Sequence, residues 1–253
     1  MNPHRLIIRL FLLLIFLLLT VVSLTAKIPL TKPAGGRLAV VVDERLSALR
    51  RTPDLNGRLV RRLGRGRLVA IINSRTTPDG VVFFFVTVTT RTRGWIQREA
   101  VVSPTHPGDD QRLLDLIKAS QGFDQIVRSR IFLDHFRHSP LRPQVLLLLA
   151  SAAEAEAAKL SREAARRLDS VRRVEPTGRL NITSAAAPEF TYFMNYSGLD
   201  RYNRQRVYFT FDAITKRFHY DGAACRELLR RYPTSPEAEE ARKRLTQLAP
   251  PEN

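Results

Sequence analysis

The chain is predicted to be a segregated α+β protein: an N-terminal hydrophobic helix, a small all-β barrel, then an all-α domain of helical hairpins. Three observations predict this. Seventeen uncharged residues, 10–26, open the chain. Short β-branched runs punctuated by Gly, Pro and Asp fill residues 37–104. Beyond residue 108 the apolar residues recur at helical spacing instead of alternating.

Residues 10–26 follow Arg5 and Arg9, so 1–26 reads as a signal peptide or a membrane anchor. Leu6, Ile7 and Ile8 extend the run toward the roughly 20 residues that a bilayer core requires. Thr25 with Ser23 two positions before it forms a small-x-small cleavage pattern, whereas Ala26 has Leu24 at the critical place. No Cys closes the run, which excludes a lipid-modified Cys there. Lys27, Lys32 and Arg37 weaken the charge asymmetry across the run, but long domains translocate largely regardless of charge. The expectation is an extracytoplasmic protein of the bacterial envelope, anchored in the inner membrane by this helix or periplasmic after cleavage.

The formal net charge is +17, and 35 of the 41 basic residues are Arg. In the cytosol such a charge would point first to nucleic acid. Across a membrane the expected partners are peptidoglycan, an envelope protein or an anionic membrane surface, and no nucleic acid. Cys225 is the only cysteine, so no intramolecular disulfide forms and stability comes from packing. The sequons at Asn181 and Asn195 are glycan acceptors only in a eukaryotic secretory pathway.

Residues 37–104 alternate strand-like runs with turns: LAVVV (38–42), RLVRRL (58–63), RLVAII (67–72), VVFFFVTVTT (81–90) and Gly94-Trp95-Ile96. Asp79-Gly80 lies between two apolar runs as a hairpin signal. In the following strand Val82, Phe84, Val86 and Val88 share one face, and Phe83, Phe85, Thr87 and Thr89 the other. The order of Leu46-Ser47-Ala48-Leu49-Arg50, Thr52-Pro53, Gly57-Arg58-Leu59-Val60, Leu63-Gly64-Arg65-Gly66 and the closing Gly94-Trp95-Ile96 resembles the bacterial SH3 domain. That resemblance covers about a quarter of the chain. It implies an SH3-like barrel acting as an extracytoplasmic binding module for peptidoglycan, its peptide stems or a protein. An Asn common after the first Leu is absent, and Phe84 or Phe85 stands near the place of a Trp that usually opens the fourth strand. The expected ligand-binding residues are Trp95 and Phe84, with Arg62, Arg65 and Arg67, beside Arg61, as an anion-binding rim. The alternatives are a core role for Trp95 and a solvated hairpin end for the arginines.

After a turn-rich linker at 103–108, residues 109–248 read as helical. Leu113, Leu114 and Ile117, then Phe123, Ile126, Val127, Ile131 and Phe136, suit amphipathic helices, and 143–173 is a run of high helix propensity. The stretch Phe132 to Leu141 is echoed 96 positions later by Leu228 to Glu237, with Ser139 and Ser235 as N-caps, Pro140 and Pro236 at the first helical position, and Phe136 and Tyr232 plugging the space between paired helices. Tyr232-Pro233-Thr234-Ser235-Pro236-Glu237-Ala238 resembles the turn of tetratricopeptide-like hairpins in bacterial envelope proteins, which implies protein–protein binding by this domain. The spacing of 96 excludes a regular superhelix. Between the two units lies an aromatic set: Phe190, Tyr192, Phe193, Tyr196, Tyr202, Tyr208, Phe209, Phe211, Phe218 and Tyr220. With Arg201, Arg204, Arg206 and Arg217 interleaved, it reads either as the buried face of a helix around 199–219 or as a surface for a peptide or glycan. Tyr202, Arg206 and Tyr208 are the expected partner-binding residues.

No catalytic residue, metal ligand or cofactor is expected. Cys225 near His219 and Asp221 lacks the Asp-Cys-Ser-Gly-type context of wall cysteine peptidases, and its neighbours Ala223, Ala224, Leu228 and Leu229 predict a buried helical thiol. His135 and His138 stand at i, i+3 with Asp134, but no third ligand has metal-site spacing. The reading is a non-enzymatic envelope binding or scaffold protein. The alternatives are a purely structural barrel with partner binding by the helices alone and, third, a wall cysteine peptidase or its regulator.

Overall fold

A computed structural model describes residues 35–174, 198–212 and 214–248. Every described residue belongs to one compact unit, Pro33–Asn253. The expected hydrophobic helix at 1–26 therefore lies outside the described residues, as do Phe190, Tyr192, Phe193 and Tyr196. Among the described residues no helix is long and apolar enough to cross a membrane.

Seven strands form one antiparallel sheet: β1 (Arg37–Val41), β2 (Ala48–Arg50), β3 (Leu59–Arg62), β4 (Leu68–Thr76), β5 (Val82–Thr89), β6 (Thr92–Gln97) and β7 (Val101–Val102), in the order β3-β2-β6-β5-β4-β1-β7. A single 3-10 turn, Arg98–Ala100, joins β6 to β7. The β4–β5 hairpin turns at Thr77-Pro78-Asp79-Gly80, where Gly80 takes φ +82° and its N–H donates to the Thr77 carbonyl at 2.9 Å. The helices are α1 (Asp109–Lys118), α2 (Gly122–His135), α3 (Arg142–Val174), α4 (Asp200–Asn203), α5 (Ala223–Arg231) and α6 (Glu237–Leu248).

The segregated α+β expectation, a small SH3-like barrel followed by an all-α tetratricopeptide-like domain, is overturned on two grounds. First, the fold is a mixed one in which a seven-stranded antiparallel sheet and the helices share a core. Val40, Val42 and Val102 leave the sheet to join the helical cluster around Leu113, Ile126, Phe132 and Leu146. The opposite face closes on Ala39, Val41, Leu49, Val69, Val86 and Ile96. Second, the segment expected as a helix around 199–219 is a short helix, α4, followed by a β-hairpin of β8 (Phe209–Asp212) and β9 (Arg217–Tyr220). Phe209 and Phe211, then Phe218 and Tyr220, alternate with Thr210 and His219, a period of two. Asp212 fixes the turn by accepting the Ile214 N–H at 2.8 Å and the Thr215 hydroxyl at 2.6 Å, while Lys216 adopts φ +55°.

Polar side chains seam the sheet to the helices. Arg65 pairs with Asp124 at 2.7 Å, Arg128 donates to the Val42 carbonyl at 3.2 Å and approaches Asp43 at 3.4 Å, and the Ser103 N–H donates to Asp109 at 2.7 Å. The Arg65 hydrogen bond holds the Asp124 carboxyl below the usual carboxylate range. Within the helical part the repeated aromatics behave as expected: Phe136 is buried in the core and Tyr232 packs against it. The linking atoms come from Arg142, which is only 4% exposed. Its Nη1 donates to the carbonyls of Leu133 and Phe136 at the end of α2, at 2.8 and 3.2 Å, and its Nε donates to the Tyr232 hydroxyl at 3.0 Å. These satisfy carbonyls that a helix C-terminus otherwise leaves without donors. Ser139 Oγ accepts the Leu141 N–H at 3.2 Å, so it caps one turn ahead of α3, whereas Ser235 Oγ has no partner among the described residues and does not cap α6.

Candidate functional site: an aromatic and arginine sheet face

In an antiparallel ladder, residues directly opposite one another project to the same side. One row crosses five strands: Leu59 faces Arg50, Arg50 faces Trp95, Trp95 faces Phe85, and Phe85 faces Asn73. The next row on this side pairs Arg93 with Thr87, and the row beyond the aromatics pairs Gln97, Phe83 and Arg75. At the sheet edge Arg62 opposes Ala48, two residues from Arg50 on the same side of β2. This is the face that the helices cover at the β1 and β7 end of the sheet. At the other end it presents half-buried Phe85 and Trp95 with exposed Leu59, Asn73, Arg62, Arg75 and Arg93.

The two rings lie 5.3 Å apart, tilted by 57°. Gly94 makes their placement possible. A Cβ at that position would stand 2.6 Å from the Arg50 carbonyl oxygen and 3.0 Å from Leu49 Cγ, so only glycine lets β2 cross β6 at the row that contains Trp95. Arg50 is held by a hydrogen bond from its Nη1 to the Gly57 carbonyl at 2.7 Å. Arg62, Arg75 and Arg93 have no ion-pair or side-chain hydrogen-bond partner among the described residues, and no paired position on this face carries a carboxylate. The chemistry is a stacking surface rimmed by guanidinium donors, able to hold an apolar or sugar face beside carboxylates or phosphates.

Of the residues expected to bind ligand, the structure brings Trp95 and Arg62 to this face and separates the others. Phe84 opposes Ile96 on the core face, packed against the buried cluster, with the Arg37 guanidinium 5.9 Å from its ring centroid. The ring that accompanies Trp95 is Phe85, because alternation along β5 sends neighbouring residues to opposite sides. Arg65 is engaged with Asp124 and, through its N–H, with Glu44 at 2.9 Å. Arg67 sits in the turn where its carbonyl accepts the Val41 N–H at 2.9 Å. Arg50, Arg75 and Arg93 are functional candidates that sequence reasoning missed. The strand alternation from Trp95 reaches Arg93, but only the pairing of separated strands brings Arg50 and Arg75 beside it.

The expected partner-binding trio is also divided. Tyr202 is fully buried and therefore an interior residue. It donates its hydroxyl proton to buried Glu156, receives a hydrogen bond from Arg201 at 2.6 Å, and packs edge-on against Phe123 and Phe209. Burial, then the Glu156 hydrogen bond, push its phenol far above the ordinary tyrosine value. Glu156 fits because Gly122 stands opposite: a Cβ there would come within 2.7 Å of Glu156 Oε1, and the φ of +59° also favours glycine. Arg206 pairs with Asp134 at 3.5 Å, and Tyr208 remains 49% exposed.

Cys225 is fully buried and its thiol is pushed up to about 11 by burial, reinforced by the nearby Glu154 charge. A thiol so placed is protonated near neutrality and inaccessible, the reverse of an activated nucleophile. His135 and His138 line a cleft of about 550 Å³ with His106, where burial lowers the His135 pKa. No group of three or more His, Cys, Asp or Glu among the described residues is placed to hold a metal ion.

No family model matches the chain, and neither a curated protein nor a solved structure matches it.

Proposed function

We propose that this chain is a non-enzymatic binding protein of the bacterial cell envelope. In this reading, the Trp95–Phe85 face of the sheet contacts peptidoglycan or an acidic envelope protein, and the helical part carries a protein partner. The observation that supports it is the half-buried aromatic pair flanked by Arg62, Arg75 and Arg93, which have no acidic partner of their own among the described residues. A glycan strand offers sugar faces for stacking and its peptide stems offer carboxylates for guanidinium groups. The apolar opening of the sequence, residues 10–26, supports a location across or beyond a membrane, where such a polymer is the abundant polyanion.

Sedimentation of the full chain with insoluble peptidoglycan across a salt series tests this. Binding that persists at moderate salt and is lost in Trp95→Ala, with a reduced salt slope in Arg75→Ala and Arg93→Ala, supports the reading. Binding abolished by moderate salt in every variant means charge alone and overturns it. The competing reading, in which the sheet only packs against the helices, is favoured by the seam of Arg65, Arg128 and Ser103 described above; it predicts no retention at any salt.

A further inference from the structure

The sheet has two edges, and one of them is open. β7 is buried, with Val101 at 1% and Val102 at 0% exposure, whereas β3 at the opposite edge pairs with β2 alone and all four of its residues are exposed. The ladder fixes which backbone groups face away from β2. The Leu63 N–H donates to the Ser47 carbonyl at 3.2 Å and the Arg51 N–H to the Arg58 carbonyl at 3.0 Å, so Leu63 and Arg58 turn toward β2. Backbone direction alternates along a strand, which turns the N–H and C=O of Arg62 and Leu59 outward, with Val60 the extra residue of a bulge between them. No strand among the described residues receives these groups. The side chains add apolar area and one sign of charge. Leu59 and Val60 are 48% and 42% exposed, beside exposed Arg58, Arg61 and Arg62, none of which has an ion-pair or side-chain hydrogen-bond partner among the described residues. Asp54, the carboxylate of the loop leading into β3, accepts the Asn56 N–H at 2.8 Å.

We propose that β3 takes up an extended acidic segment of a partner protein as a further strand of the sheet. Main-chain hydrogen bonds to an open edge supply affinity, and the alternate side chains of the added strand supply specificity. Charge makes that selection here. Three arginines within five residues of chain, 58–62, flank the apolar pair Leu59 and Val60, so the strand that fits alternates carboxylates with apolar side chains. Opposite charges on neighbouring strands stabilise a pair, and like charges directly opposite destabilise it. The same rule selects against a second copy of this chain: two β3 edges laid together would set their arginines against one another, and charge on a short edge strand is a common guard against such self-pairing. Arg50 on β2 stands between this edge and the Trp95–Phe85 pair, and the proposal does not depend on what those rings hold.

Fluorescence anisotropy of a labelled, end-blocked heptapeptide of alternating glutamate and valine, titrated with the full chain, tests the proposal. Saturable binding that persists at moderate salt is expected. Methylating two adjacent central amides blocks both edges of the peptide and should weaken binding about tenfold or more, as the loss of main-chain hydrogen bonds requires. The analogue with lysine in place of glutamate should not bind. Arg61→Glu should weaken the glutamate peptide more than Arg230→Glu, which makes the same change of charge at an exposed position on α5. Equal weakening by the two variants, equal binding of the methylated and unmethylated peptides, or no saturable binding at millimolar peptide overturns the proposal. A dimer of the unaltered chain that the peptide dissociates, read by size-exclusion chromatography, gives the edge to a second copy and overturns it as well. The methylated and unmethylated peptides are both titrated with the unaltered chain, so their comparison stands even where Arg61→Glu fails to fold.

Discussion

The sheet and the helices use the same residue, arginine, in opposite ways. Residues 37–102 hold thirteen arginines against five carboxylates, yet no ion pair among the described residues joins two of them; Arg65, paired there with a carboxylate, reaches Asp124 on α2. In the helical part, Arg112, Arg128, Arg130, Arg142, Arg201, Arg226, Arg231 and Arg244 all have acidic partners. Arg142 and the Arg201–Tyr202–Glu156 chain are buried or reach buried atoms. Four of these pairs, at Arg128, Arg142, Arg201 and Arg244, connect elements remote in sequence, while the sheet leaves its arginines facing outward around two aromatic rings. A buried guanidinium must be satisfied to be tolerated, whereas an exposed one without a carboxylate neighbour retains its capacity for an external anion.

The contrast is tested most severely at Arg142. Arg142→Ala strips donors from the Leu133 and Phe136 carbonyls and the Tyr232 hydroxyl, and should cost about 3 kcal/mol or more in denaturant unfolding. A loss below about 1 kcal/mol would mean that the buried arginines do not hold the helices together. On the sheet, adjacent positions should diverge. Ile96→Ala, in the fully buried core face, should cost about 2–5 kcal/mol, while Trp95→Ala next to it should cost well under half as much yet remove ligand retention. Equal losses would place both residues in one core and erase the distinction between the faces.

Tyr202→Phe is expected to cost about 1–3 kcal/mol, since it leaves the Glu156 carboxylate buried with fewer donors. The seam between the two regions should respond to acid. The Asp124 carboxyl has a depressed pKa in the folded protein, so its contribution is present above the ordinary aspartate value and is lost as pH falls through the lower folded value. The stability difference between the unaltered chain and Asp124→Asn should therefore be larger near pH 6 than near pH 3, read from denaturation midpoints. The smallest effect belongs to Arg75→Ala and Arg93→Ala, which should change stability by no more than about 0.5 kcal/mol.

Much of the local structure was legible in the chain. The punctuated runs of 37–104 became strands, Asp79-Gly80 became a turn, and the aromatics Phe136 and Tyr232 packed where their repeated context placed them. Cys225 was legible as a buried thiol from its apolar neighbours. The hairpin at 209–220 was written in the Phe-Thr-Phe and Phe-His-Tyr alternation, but the wider aromatic set, spaced at three and four, favoured a helix over the same residues. The candidate site was only half legible: Gly94-Trp95 marked it, and Phe84 stood in for Phe85.

Outside the hairpin at 209–220, the sequence by itself determined most strands, turns and helices, because periodicity, β-branching and glycine conformation act within a few residues of one another. It also determined that charge would be abundant and arginine-rich. Only the tertiary structure decided which arginines remain free to meet a ligand. That choice depends on partners far along the chain: Asp124 reaches Arg65 across 59 residues, and the helices cover one end of a sheet face while leaving Trp95 and Phe85 at the other. Exposure is a property of what packs against a surface, and packing joins residues that no local pattern relates.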